Sequence, residues 1–167
     1  MDAQKFTQKS LEAIQEAQNI AIENQNAQIE EEHLMLALVN QEDSLIKELL
    51  KKMNISQEFE DELNNKIANL PKMTGGSRQA NSIYVSQEVD AVLANSEKIA
   101  KKMKDEYISV EHIMIAIMDN ANSYLKNLFK KYGLNKNEFL KVLSSVRGNT
   151  RVTSDNPEST YDVLKKY

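Results

Sequence analysis

Apolar residues along this chain recur at helical spacing and seldom alternate. Leu11, Ile14, Ala17 and Ala21 form one stripe, the three-to-four-residue rhythm of an amphipathic helix. Thr7 precedes it as a cap, with Phe6 and Leu11 placed to close a hydrophobic staple. Ser86 opens a second such segment, with Val89, Val92, Leu93, Ser96, Ala100 and Met103 along one face. Two shorter stretches, 32–39 and 111–118, are apolar nearly all round, and periodicity alone does not tell a buried helix from a buried strand there. The flanks decide for helix. Ser109 is a capping residue, Ile108 and Ile113 sit at staple spacing, and Glu30, Glu31 and Glu111 suit a helix N-terminus.

The same pattern occurs twice. Residues 29–55 align with residues 108–134 at an offset of 79, with 10 identities in 27 positions, where chance gives about two. Each copy predicts four helices. The third ends at Asn54 in one copy and Gly133 in the other, the residue types that best tolerate a left-handed backbone after a helix. The fourth starts near Ser56, and in the second copy at Asn135, with Glu138 at capping-box distance. It carries Phe59 and Leu63, matched by Phe139 and Leu143 at an offset of 80. The expected fold is all-α: two tandem four-helix repeats, 1–70 and 83–148, joined by a linker over 71–82 that holds Pro71, Gly75 and Gly76. Residues 149–157 are polar and irregular, 159–167 could open a short helix, and no end signal follows. Residues 149–167 therefore read as the start of a connection to something longer.

Composition narrows the function classes. With 167 residues, 28% charged and 41% apolar, the chain has a globular balance. It has no cysteine, which removes disulfides and thiolate metal sites. A net charge of −4 with dispersed lysines argues against a nucleic-acid partner. No apolar run reaches membrane-spanning length, about 18 residues, and the start has no secretory pattern. A cytoplasmic location is expected.

Catalytic chemistry is hard to find. There is no GxxxxGK[ST], HExxH or Gly-x-Ser-x-Gly run. The two histidines, His33 and His112, each follow a glutamate in the first turn of an apolar helix. They could form a metal or acid–base pair, or serve as a duplicated structural residue at a helix end. Without further ligand spacing the structural role is the expected one. Thr7 reads first as a cap, Glu111 as an N-terminal acid, and Asp105 as a solvated loop acid.

The signature Glu-His-Leu-Met-Leu-Ala-Leu at 32–38, echoed at 111–117, resembles the N-terminal repeat of Clp AAA+ unfoldases. Lys5-Phe6-Thr7-Gln8-Lys9, Leu70-Pro71-Lys72 with Gly75-Gly76, and the tail from Val146 to Thr153, followed by Asn156-Pro157-Glu158, are similar to the ClpB branch. The resemblance implies repeats related by a pseudo-two-fold axis and a domain that weakly binds exposed apolar segments of unfolded or aggregated polypeptides. It also implies a homohexameric parent working with a DnaK-type chaperone, with ATP and Mg held in other modules and no cofactor in this one. The fragment alone is expected to be a monomer. Family residues implicated in client binding match Thr7, Asp105 and Glu111, whose counterparts in copy one include Asn26 and Glu32. A groove rimmed by these acids is expected, with Ile83, Tyr84, Val85 and Val92 as its apolar floor. The alternative is an adaptor-docking domain of a degradative Clp unfoldase, a reading the tail after Val146 disfavours.

Overall fold

Each half of the chain folds as four helices in the computed structural model, which describes residues 3–73, 83–148, 152, 153, 155, 157 and 158. The first half contains α1 (Gln8–Glu23), α2 (Glu31–Asn40), α3 (Leu45–Lys52) and α4 (Glu58–Ala68). The second contains α5 (Gln87–Lys102), α6 (Val110–Asp119), α7 (Ser123–Lys131) and α8 (Lys136–Arg147). Two short strands, β1 (Gln28–Ile29) and β2 (Tyr84–Val85), pair in parallel. The helix predicted over 159–167 and linker residues 74–82 lie outside the described residues.

Local chemistry sets the helix ends. Thr7 caps α1 by accepting the Ser10 N–H, and Ser86 caps α5 by accepting that of Val89. Asn122 and Asn135 do the same for α7 and α8. Left-handed backbone recurs at the repeat offset: Gln25 with Lys104, and Asn54 with Gly133. The last pair was readable from residue type. Gln25 and Lys104 were not, because neither is a usual residue there.

The α1 stripe differs from the expected one. Ala13, Ala17, Ile20 and Ala21 are buried, Ile14 is half-buried, and Leu11 is 38% exposed. Phe6 turns into the core, beside Ile108.

Each half completes the other. Ile29, before α2, pairs with Val85, before α5. Ile108, before α6, pairs in parallel with Phe6, before α1. A shift of 79 residues turns one pair into the other, so each repeat lends the segment before its first helix to the other. The apolar helices α2 and α6 touch at the centre, and α3 packs on α8. On the matching side, Phe59 of α4 stacks on Phe129 of α7 at 6.2 Å and meets Tyr132 edge-on at 5.6 Å.

Candidate functional site

The site region begins with the two histidines. His112 Nδ1 accepts the Ser109 N–H at 2.9 Å, so the ring hydrogen sits on Nε2 and is donated to Asp105 Oδ2 at 2.7 Å. His33 Nδ1 likewise accepts the Glu30 N–H at 2.8 Å, and Nε2 donates to Asn26 Oδ1 at 2.8 Å. Burial pushes the His33 ring down to about 4. Both rings are buried, each with Nδ1 in a helix cap and Nε2 on the side chain seven residues before it. They are duplicated structural residues, with no lone pair left for a metal or a substrate.

Asp105 is the hub of a buried polar cluster. Arg147, at the end of α8, grips its carboxylate with both nitrogens, at 2.7 and 3.0 Å. The same guanidinium lies 3.3 Å from Glu111 Oε2, and Val152 N–H donates to Asp105 Oδ1 at 2.9 Å. Burial opposes ionisation of Asp105. The hydrogen bonds from His112, Arg147 and Val152, with the Arg147 charge, outweigh it and hold the carboxyl below its ordinary value.

The chain after α8 closes over this cluster. Glu158 Oε2 accepts from Thr7 Oγ1 at 2.7 Å and from Val110 N–H at 3.2 Å. It thereby bridges the N-termini of α1 and α6, where the helix dipoles favour negative charge. Burial first, and the neighbouring Glu111 second, push the Glu158 carboxyl up to about 7.

The expected site residues divide into two groups. Thr7, Asp105 and Glu111 do come together, but all three are buried. The acids are therefore no solvent-facing rim, and Asp105 is no solvated loop acid: Arg147 and the residues after α8 cover them. Val92 is buried in the α5 core and floors no open groove. Tyr84 and Val85 lie on the surface, 78% and 37% exposed, with Ile83 half-buried beside them. The participation of Arg147 was missed. Phe139, Leu143, Val146 and Arg147 share one buried face of α8, so a cation at the end of an apolar stripe already demanded a buried acid.

A separate concavity of about 420 Å³ lies between α5, α6 and α8, floored by Ile99, Met103, Ile115 and Leu140 and edged by Lys98 and Lys102. Among the described residues no helix is long and apolar enough to cross a membrane.

Comparison with known proteins places the chain. Residues 5–132 match the family model described as the Clp repeat (R) N-terminal domain. The chain is 40% identical over its whole length to the chaperone protein ClpB of Clostridium tetani, and 40% identical to that of Nitratidesulfovibrio vulgaris. It spans only 19% and 20% of those relatives. Among solved structures, the Hsp104 N-terminal domain from Candida albicans superposes with a TM-score of 0.81 at 24% identity, over 93% of this chain and 99% of that one. A complex of the ClpV N-domain with a VipB peptide superposes at 0.65 and 19% identity, over 84% of this chain and 86% of that one. The duplicated Glu-His motif, the helix order and these matches agree: the chain belongs to the Clp repeat N-terminal domain family.

Proposed function

We propose that this domain receives clients for an ATP-dependent disaggregase. It weakly binds exposed apolar segments of unfolded or aggregated polypeptides and hands them to an ATPase ring formed elsewhere in the parent. In this reading the parent is a cytoplasmic homohexamer working with a DnaK-type chaperone, and this domain carries no catalytic step.

One observation carries the reading. Among the described residues the exposed large apolar side chains are Leu11, Tyr84 and Val85, and two of the three are neighbours on β2, with Ile83 alongside. A protein that buries Phe6, Phe59, Phe129 and Phe139 gains no stability from a tyrosine left in water. An exposed apolar patch fits apolar segments of an unfolded chain and selects little by sequence. The ClpV N-domain recorded with a VipB peptide supports peptide binding on this fold. Thr7, Asp105 and Glu111 belong to the proposed site as a second, covered part of it.

The test is an NMR titration with a permanently unfolded, apolar-rich polypeptide, using the chain and its Tyr84→Asp/Val85→Asp variant. Shifts centred on Ile83–Val85 that vanish in the folded variant are expected. Equal binding by the variant removes β2 from the site, and shifts seen only with a folded adaptor favour the adaptor-docking alternative.

A further inference from the structure

Val152, Asp155, Pro157 and Glu158 occupy the α1/α6 junction. After α8 the chain turns at Gly148, whose φ of 56° and ψ of −126° suit glycine alone. It then lies back across two helix starts. Val152 carbonyl accepts the Glu106 N–H at 2.7 Å, and Asp155 carbonyl accepts the Gln8 N–H at 2.8 Å. Gln8 Nε2 adds a bond to Asp155 Oδ2 at 3.1 Å. Val152, Pro157 and Glu158 are buried against the domain. Beneath them lie Thr7, Asp105 and Glu111.

Two features make this contact reversible. Its hold is a few hydrogen bonds and two apolar side chains, and among its described residues only Glu158 has regular secondary structure, a single 3-10 position. Its terminal anchor is also frustrated: Glu158 enters a dry site beside another carboxylate, Glu111, and its Oε1 has no hydrogen-bond partner among the described residues.

We propose that Val152, Asp155, Pro157 and Glu158 are the contacts of a regulatory strap over this site: docked, they withhold Thr7, Asp105 and Glu111 from any client, and lifted, they expose them. This rests on the reading that those three residues belong to the client site. The strap sets the fraction of molecules competent to bind there, so apparent affinity scales with how often it is open.

The chain has no native cysteine, so Gln8→Cys/Asp155→Cys gives one lock that is closed by oxidation and opened by reduction. Val152→Asp/Glu158→Ala gives a permanently released form. Binding of a permanently unfolded polypeptide is measured for all of these, with hydrogen exchange as the fold control. The oxidised lock is expected to bind about 10-fold more weakly than the same protein reduced. The released form is expected to bind more tightly, with the Val110 amide deprotected and that of Ile113 still protected. Equal binding by the locked, reduced and released forms, with shifts confined to Ile83–Val85, overturns the strap and leaves the client-binding reading standing. No binding by any form overturns both.

Discussion

His112 donates its Nε2 hydrogen to Asp105, and the matching histidine of the first repeat, His33, donates the same hydrogen to Asn26. The two contacts have the same geometry and different charge. Arg147 answers the charge on Asp105, whereas Ile67 stands at the corresponding place in α4. The second repeat therefore holds an ionic cluster where the first holds a neutral side-chain contact.

Asp105→Asn keeps the histidine bond and leaves Arg147 without its main counter-charge. A loss of about 3 kcal/mol is expected in urea unfolding. Asn26→Asp should also destabilise, because Ile67 and not an arginine stands at the place in α4 that Arg147 holds in α8. A loss below about 1 kcal/mol for Asp105→Asn would show that the ion pair does not hold this region together.

The aromatic seam between α4 and α7 should dominate the cohesion of the two repeats. Phe59→Ala removes both ring contacts and is expected to cost about 3–5 kcal/mol. Tyr132→Phe deletes only the phenol hydrogen bond to Glu62 and should cost about 1 kcal/mol. Calorimetry of each variant should give a single transition. Two separated transitions would mean that the repeats melt independently.

Much of this was legible in the sequence. The 79-residue duplication gave the helix count, and Thr7, Ser86, Ser109 and Asn135 announced their helices through side-chain chemistry alone. The burial of Thr7, Asp105 and Glu111 was not legible. It comes from Arg147, 42 residues beyond Asp105, and from Glu158, 151 residues beyond Thr7. Helical periodicity reports which face of an element is apolar and nothing about which distant segment covers it. The α1 stripe was misjudged by its small residues: Ser10 and Ala13 are buried while Leu11 faces outward.

Glu31, at the start of α2, predicts a pH effect on stability. Burial first, and then Glu32, Glu88 and Glu30, outweigh the bond from Asn122 N–H and push its carboxyl from 4.5 up to about 7. A raised folded-state value means stability that is complete below 4.5 and lost as pH rises through 7. Glu31→Gln should therefore raise Tm at pH 8 and leave it nearly unchanged at pH 4.5. The same gain at both pH values would exclude ionisation as the cause.

Glu158 gives the strap a related dependence. Its carboxyl titrates near 7 when docked and at the ordinary 4.5 when free, so docking is strongest below 4.5 and weakens as pH rises through 7. Glu111, Asp105, Arg147 and His112 surround the position and set its field. The Gln8 and Val110 amide resonances should move together as pH rises through this window, and Glu158→Gln should abolish the movement. Unchanged shifts from pH 5 to pH 8 would separate strap docking from this carboxyl.

The pairing of Phe6 with Ile108 also bears on how the domain is made. It closes a loop of about a hundred residues, a costly closure for so small a contact. During synthesis the first repeat emerges with Phe6 still unplaced, and its partner strand segment is translated only with the second repeat. The ribosome must deliver nearly two-thirds of the chain before the first residues can settle. Until then the nascent domain carries an exposed phenylalanine of its own, the kind of feature it is proposed to find on others.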